Sequence, residues 1–180
     1  IPFIVVTDAL EFIHENGYIH ADIKSANILR RFTGGKSSSS TSSSSTSKRS
    51  QKLSSSEQED IQDDHYYLID FGLAEKFLID NVHRAYEEDE RRANNGTREF
   101  RSRDAHIGVI SRRSDMESLG WNLIIWLYGR HPWDPLLKCE DAVYEKKCWA
   151  MKNIPQCLEE AFSDSPLPEF KVENKSSSKR

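Results

Sequence analysis

The segment from Ser114 to Gly129 constrains the fold of this 180-residue chain more than any other. Ser114 followed by Glu117 predicts a helix start with a capping box, and Gly129 with Pro132 predicts its end. Apolar residues keep helical spacing on one face and continue onto the others, namely Met116, Leu119, Gly120, Trp121, Leu123, Ile124, Ile125, Trp126 and Leu127. A helix with apolar residues on nearly every face is expected to be buried nearly all round, with the rest of the domain packed around it.

Further helices are predicted on both sides of this segment. The first combines apolar residues at i, i+3, i+4 and i+7 with a glycine that ends it: Val6, Ala9, Leu10, Ile13 and Gly17. Weaker patterns predict helices near residues 140–152 and 155–162. Ile28 and Leu29 are expected to pair with residues 66–69 in a small hairpin. Residues 73–100 are charged and irregular, which is typical of a surface loop.

A Ser-rich insert separates the two strands of that hairpin. Residues 37–47 are all Ser or Thr, and Ser54 to Ser56 precede an acidic stretch. Such a composition has almost nothing to bury, so we expect residues 33–64 to be disordered. Lengthening the loop from about five to about thirty-five residues costs about 1.7 kcal/mol, which the hairpin can tolerate. The serines are either sites for an acid-directed kinase or part of a passive linker.

Composition narrows the class of protein. The chain is 37% apolar and 30% charged, with a net charge of −4, which is typical of a soluble domain without a broad basic surface for nucleic acid. No apolar run is long enough to span a bilayer, so no membrane partner is expected. The three cysteines contain no C-x-x-C pair, which argues against a disulfide or zinc scaffold and favours a reducing compartment, the nucleus or cytoplasm.

Two short polar motifs carry the chemistry. The run from His20 to Asn27 offers a carboxylate, a cation and an amide within six positions, at Asp22, Lys24 and Asn27. A second carboxylate, Asp70, follows a β-rich run and precedes Phe71 and Gly72. Phosphoryl transfer requires a carboxylate near the attacking hydroxyl, oxygen ligands for Mg²⁺ and a cation on the phosphates. The pattern therefore predicts a phosphoryl-transfer site.

The ordered motifs resemble those of protein kinases, and most closely those of the vaccinia-related kinase family in the casein-kinase-one group. They run in this order: Tyr18-Ile19-His20-Ala21-Asp22-Ile23-Lys24, Asp70-Phe71-Gly72, Gly96-Thr97-Arg98-Glu99-Phe100, Asp104-Ala105-His106, Ser111-Arg112-Arg113, Asp115-Met116-Glu117-Ser118-Leu119-Gly120 and His131-Pro132-Trp133. The resemblance covers residues 1 to about 135, apart from the insert.

The resemblance implies a role for each matching residue. Asp22 would be the catalytic base, Lys24 would bind the transferred phosphate, and Thr97 would hydrogen-bond near both as the third catalytic residue. Asn27 and Asp70 would hold Mg²⁺, and with Lys24 they would bind ATP. His20 and Asp115 would be structural, with Asp115 pinning the backbone of the catalytic loop.

Two departures from the general kinase pattern stand out. Ala21 occupies a position where many kinases have an Arg that pairs with a phosphorylated activation loop, so loop phosphorylation is not expected to switch this site on. No A-P-E sequence follows the activation loop, and Asp104-Ala105-His106 takes its place.

The resemblance implies an α+β protein kinase-like fold, of which this chain supplies the mainly helical C-terminal lobe with a small β-hairpin. Residues 1–162 would form that lobe, interrupted by the insert, and residues 163–180 a flexible tail. No Gly-rich loop, strand lysine or partner glutamate helix occurs in the 180 residues, so we expect the N-terminal lobe to be absent and the isolated chain to be inactive.

The expected activity is transfer of the γ-phosphate of Mg-ATP to Ser or Thr of protein substrates, by a monomer. The family suggests nuclear or chromatin-associated substrates. The alternative is a non-catalytic pseudokinase or scaffold lobe, against which the retained Asp22, Lys24, Asn27 and Asp70 argue. A casein-kinase-one proper is disfavoured by Ala21 and by Ser25, where that group usually has Pro.

Overall fold

The first helix forms where the apolar periodicity predicts it. In the computed structural model, which describes residues 2–31 and 65–163, helix α1 spans Pro2–Glu15. Val6 and Leu10 are fully buried on its inner face. The helix is followed by Gly17, whose φ of 81° lies in the left-handed region that glycine tolerates best.

Three pairs of short antiparallel strands follow. Strands β2 (Ile28–Arg30) and β3 (Tyr66–Leu68) form the predicted hairpin, with Ile28 opposite Leu68. Strand β1 (Tyr18–Ile19) pairs with β4 (Glu75–Lys76). Strands β5 (Leu78–Ile79) and β6 (Val82–His83) pair with each other. The expectation of an irregular loop from residue 73 was therefore wrong at its beginning, where these two-residue strands are too short to show a period.

The central helix, α3, spans Arg112–Tyr128, and its predicted cap was wrong by one turn. Ser111 is the N-cap, because its hydroxyl accepts a hydrogen bond from the backbone N–H of Ser114 at 3.1 Å. Glu117 does not close a capping box; its carboxylate binds Arg103 instead, in a salt bridge of 3.0 Å. The helix ends as predicted, at Gly129 with φ 76°.

Helix α3 is also less enclosed than its sequence suggests. Leu119 and Trp121 are buried. Met116, Leu123 and Leu127 keep 41%, 36% and 46% of their surface exposed, which contradicts burial on every side. The apolar face is covered where α1 and the C-terminal helices pack on it, and the rest of that face is open within the described part of the chain.

The C-terminal helices agree with prediction. A short α2 (Arg103–His106) precedes α3, and α4 (Glu140–Lys152) and α5 (Ile154–Phe162) follow it. Two buried clusters result. One joins α1 to α3 through Val6, Leu10, Ile23 and Leu119. The other joins α3 to α4 and α5 through Trp121, Trp133, Val143, Ala150 and Cys157.

Two predicted segments fall outside this description. The Ser-rich insert, 33–64, and the tail, apart from Ser163, lie outside the described residues. Within residues 2–31 and 65–163, no helix combines the length and the apolar character that crossing a membrane requires.

Candidate active site

The loop from His20 to Asn27 rests on one face of α3. Asp115, Asn122 and Trp126 are spaced seven and four residues apart, so they lie on the same side of that helix. Each of them is hydrogen-bonded to the loop. Helix α3 therefore holds the loop in place through these three side chains.

Asp115 holds the start of the loop. Its carboxylate accepts hydrogen bonds from the backbone N–H groups of His20 at 2.8 Å and Ala21 at 2.9 Å, and it also contacts His14 Nε2 at 2.9 Å. Ala21 has φ 67°, a left-handed conformation that is uncommon for a residue with a side chain. Such conformations persist where the surroundings impose them, and they cluster at functional sites.

Asn122 and Trp126 hold the middle of the loop. The Asn122 amide nitrogen donates to the carbonyl of Ile23 at 3.0 Å, and its amide oxygen accepts from the Ser25 hydroxyl at 2.9 Å. Trp126 Nε1 donates to the same hydroxyl at 2.9 Å. Trp121 is a core residue as expected, whereas Trp126 is half-buried and has this additional polar contact.

Asp22 lies at the centre of the polar site. Lys24 Nζ contacts its Oδ2 at 2.6 Å, while the backbone N–H and the hydroxyl of Thr97 both donate to its Oδ1 at 3.0 Å. Burial alone would raise the pKa of the Asp22 carboxyl, but the hydrogen bonds from Lys24 and Thr97 outweigh it and lower that pKa below its ordinary value. Asp22 is therefore a carboxylate at neutral pH.

Thr97 reaches Asp22 because Gly96 allows a close approach of two backbones. Gly96 has φ 81°, and a Cβ at this position would lie 2.9 Å from the carbonyl oxygen of Ala21. The Thr97 hydroxyl also accepts a hydrogen bond from Lys24 Nζ at 2.9 Å. Asp22, Lys24 and Thr97, predicted from distant parts of the sequence, thus form one connected cluster.

Asn27 is buried beside Asp22. Its amide nitrogen donates to the Asp22 carbonyl at 2.9 Å and approaches Asp22 Oδ2 at 3.4 Å. Both contacts use the nitrogen, so the amide oxygen, which is the atom that Mg²⁺ would bind, takes no part in them.

Asp70 is joined to this loop through its neighbours. The backbone N–H of Ile69 donates to the Asn27 carbonyl at 2.9 Å, and the Ile69 carbonyl accepts from His20 Nε2 at 3.0 Å. The ring of Phe71 lies against that of His20, with centroids 4.9 Å apart. The residues on both sides of Asp70 are therefore fixed to the segment that carries Asp22 and Asn27.

His20 has a structural arrangement, as expected. It is fully buried, and because a carbonyl can only accept, its Nε2 must carry the proton that bonds Ile69. Its Nδ1 accepts from the backbone N–H of Asp22 at 3.3 Å. The ring is thus the neutral Nε2–H tautomer, bridging the two motifs.

The oxygen atoms of the Asp70 carboxylate and the Asn27 amide are suitable ligands for a magnesium ion. Asp70 is exposed and has φ 65°, and its carboxylate accepts from the Gly72 N–H at 3.3 Å. An exposed carboxylate and a nearby amide oxygen are hard oxygen ligands, and Mg²⁺ commonly takes one or two such protein ligands together with substrate phosphates. Within the described residues, no group of three or more His, Cys, Asp or Glu side chains forms a self-contained metal site.

No pattern in the sequence indicated the polar contacts that Arg101, Lys147 and Asp104 make. Arg101 and Lys147 are buried, and both bind the backbone around Thr97. Asp104, in place of the A-P-E sequence, is buried and binds Ser111 at 2.5 Å, Arg113 at 2.6 Å and Tyr86 at 2.8 Å. The Lys147 contacts span 46 and 49 residues of chain, so local spacing could not reveal them.

Comparison with known proteins identifies the family. A model of the protein kinase domain matches residues 3–177. This chain belongs to the protein kinase family. Its relatives place the chain in the vaccinia-related kinase family, as the sequence motifs predict. The protein kinase-like fold predicted from those motifs is likewise confirmed.

The chain is similar to three proteins in particular. It is 37% identical over 152 residues to human serine/threonine-protein kinase VRK2, covering 84% of this chain and 24% of the relative. It is 35% identical over 167 residues to nucleosomal histone kinase 1 of Drosophila melanogaster, and the match covers 92% of this chain and 23% of that relative. The solved structure of vaccinia related kinase 3 superimposes on this chain with a TM-score of 0.62 at 29% sequence identity. The match covers 83% of this chain and 39% of the chain in that structure. The chain thus spans about a quarter of the length of these two sequence relatives.

Proposed function

We propose that this chain carries the catalytic site of a protein serine/threonine kinase that transfers the γ-phosphate of Mg-ATP to Ser or Thr hydroxyls of proteins. The observation that supports this most directly is the Asp22 carboxylate, held by Lys24 at 2.6 Å and by Thr97 at 3.0 Å. A lobe that only binds partners has no need of such an arrangement.

Asp22 is the proposed base. Its lowered pKa keeps it ionised at neutral pH, so it can accept a hydrogen bond, and then the proton, from the substrate hydroxyl. Thr97 orients the carboxylate by binding one of its oxygens. Lys24, which lies between Asp22 and Thr97, carries the cation that would contact the transferred phosphate.

Asn27 and Asp70 are the proposed ligands of Mg²⁺, and with Lys24 they would bind ATP. A bound Mg²⁺ neutralises charge on the phosphates during transfer. The contribution of this chain is to hold the two oxygen ligands on segments that are hydrogen-bonded to each other through Ile69.

The proposed substrates are proteins that occur in the nucleus or cytoplasm. The name of the Drosophila relative refers to nucleosomal histone, which supports a chromatin-associated substrate for this kinase too. We propose histone as the first substrate to assay.

The test is phosphorylation of histone by the full-length protein that contains this chain, with Asp22→Asn as the key variant. Loss of a general base is expected to lower kcat roughly 10²–10⁴-fold. Asp8→Asn, an exposed residue of α1, is the matched control and should leave kcat unchanged.

Two results would contradict the proposal. The first is full activity in Asp22→Asn, and the second is a folded full-length protein that transfers no phosphate to histone or to other Ser- and Thr-containing proteins. The second result would favour the alternative of a scaffold lobe.

A further inference from the structure

A buried cationic cluster lies between α4 and the segment from residue 94 to residue 101. Lys147, on α4, is fully buried, and its Nζ donates to the carbonyls of Arg98 at 2.8 Å and Arg101 at 2.6 Å. Trp133 donates from Nε1 to the carbonyl of Glu99 at 3.0 Å. Three of four consecutive carbonyls in this segment are thus bound by side chains from the helical core.

Arg101 holds the other half of the segment. Its guanidinium donates to the carbonyl of Asn95 at 2.9 Å, the carbonyl of Gly96 at 2.9 Å and Oδ1 of Asn94 at 3.0 Å. The fixed fork of an arginine suits such a set of acceptors, and a lysine could not reproduce it. Arg101 is itself held by Glu140 of α4 at 2.5 Å.

Thr97 lies between the two halves. Its carbonyl accepts hydrogen bonds from the backbone N–H groups of Phe100 at 3.0 Å and Arg101 at 2.8 Å, which closes a turn. Its own N–H and hydroxyl bind Asp22. Contacts therefore run without a break from Lys147 and Glu140, through the backbone of residues 94–101, to the carboxylate of Asp22.

Burying the cations of this cluster has a desolvation cost. Burial, together with the charge of Arg101, lowers the pKa of Lys147 to about 7, against the opposing influence of Glu117, Glu99 and Glu140. His106 also faces the cluster and is buried. Replacing buried charges by apolar residues is often neutral or stabilising, so stability does not explain why this chain has them.

We propose that Lys147 and Arg101 are positioning residues that hold Thr97 against Asp22. This inference rests on the proposed function, because its consequence for turnover exists only if Asp22 is the catalytic base. Its structural consequence, the fixed position of Thr97, can be measured without any turnover.

The test compares Lys147→Met with Lys146→Met. Methionine removes the ammonium donor but keeps a long side chain over Trp133. Lys146 is the adjacent residue on α4 and binds Glu160 and the Trp149 ring, so it is a control of the same type with no contact to residues 94–101 among the described bonds.

The first readout is hydrogen exchange of the Thr97 amide by NMR. We expect exchange to accelerate about tenfold or more in Lys147→Met, relative to amides within α3, and to stay unchanged in Lys146→Met. If Lys147→Met does not fold, Glu140→Gln, at a partly exposed residue that also binds Arg101, should accelerate Thr97 exchange in the same direction. Unchanged Thr97 exchange in a folded Lys147→Met, or in Glu140→Gln if it is needed, would overturn the inference.

The second readout is the kinetics of the full-length protein. Lys147→Met should lower kcat about tenfold at unchanged KM for ATP, because the loss concerns the orientation of the base and not the binding of nucleotide. An unchanged kcat in a variant with faster Thr97 exchange would overturn the catalytic part of the inference. If wild-type protein shows no transfer at all, the proposed function fails, and the exchange measurement still decides whether Lys147 positions Thr97.

Discussion

Asp115 binds two consecutive peptide groups, since its Oδ2 accepts from the N–H of His20 and its Oδ1 from that of Ala21, 94 residues earlier in the chain. This pairing fixes the two peptide groups that precede Ala21, a residue in the left-handed conformation, and so fixes the backbone that leads into Asp22. The carboxylate is 1% exposed, so it has no water to replace a lost partner.

Asp115→Asn should therefore destabilise the fold by about 2 to 3 kcal/mol, because an amide nitrogen would face a backbone N–H that now has an acceptor. The change is measured by urea denaturation of the chain. Asp8→Asn makes the same chemical change at an exposed position of α1 and should change the free energy of unfolding by less than about 0.5 kcal/mol. Equal stabilities for the two variants would show that Asp115 does not hold the loop.

Two variants of Thr97 separate the effect of its hydroxyl from the effect of its side-chain size. Thr97→Val removes the group that binds Asp22 and Lys24, and it should lower kcat about 10- to 100-fold, the range for a hydrogen bond to a charged group. Thr97→Ser keeps that hydroxyl and should remain within about threefold of wild type. Steady-state kinetics of the full-length protein measure both. A Val variant as active as the Ser variant would exclude a role for the hydroxyl.

Two glycines should respond to alanine with opposite signs. A Cβ on Gly108 would lie 2.0 Å from the carbonyl oxygen of Asp89 and 2.8 Å from the nitrogen of Ala93, at φ 74°. Gly108→Ala should therefore cost more than about 2 kcal/mol of unfolding free energy. Gly120, inside α3, has no atom of residues 2–31 or 65–163 within 4 Å of an added Cβ, so Gly120→Ala should stabilise the fold by about 0.5 to 1 kcal/mol. Thermal unfolding of the two variants checks both signs.

His106 makes stability depend on pH below neutrality. Burial, followed by the charges of Lys147, Arg101 and Arg98, lowers its pKa to about 3, although Glu140 lies 3.9 Å away. The unfolded chain takes up a proton near the ordinary pKa of 6.5 and the folded chain does not, so stability falls as the pH drops from 6.5 towards 3.

This histidine should remove about 2 kcal/mol between pH 7 and pH 5. His106→Phe should flatten the stability profile by that amount, as measured by urea denaturation at the two pH values. His83→Gln, at an exposed histidine, is the control for the replacement of a histidine. If the free energy of unfolding of His106→Phe falls between pH 7 and pH 5 as much as that of wild type, then His106 is protonated in the folded chain at pH 5.

Features with a local cause were predictable from sequence. The spacing of Val6 and Leu10 predicted α1, and Gly129 predicted the end of α3. The cap of α3 was misplaced because Ser111 and Ser114 are both good N-cap residues three positions apart, and Glu117 completes a capping box only with the second. Glu117 binds Arg103 instead, and the capping-box pattern does not predict this contact.

The residues of the candidate site could be predicted, as could Asp115 as a support of the loop, but the other supports could not. Asp22, Lys24, Asn27 and Asp70 were predicted from their chemistry and from the resemblance, and Thr97 from the resemblance alone. The structure joins Asp22, Lys24, Asn27 and Thr97 by hydrogen bonds and connects the neighbours of Asp70 to the same loop. The left-handed Ala21 and the buried Lys147 have no local signal, because each depends on a partner 46 or more residues away.

The most direct test is a crystal structure of the full-length protein with Mg²⁺ and a non-hydrolysable ATP analogue. We predict one Mg²⁺ ion bound by the amide oxygen of Asn27 and the carboxylate of Asp70 at about 2.1 Å, with Lys24 on the terminal phosphate. Nucleotide and metal bound away from Asn27 and Asp70, in a protein whose Asp22 cluster is intact, would contradict it.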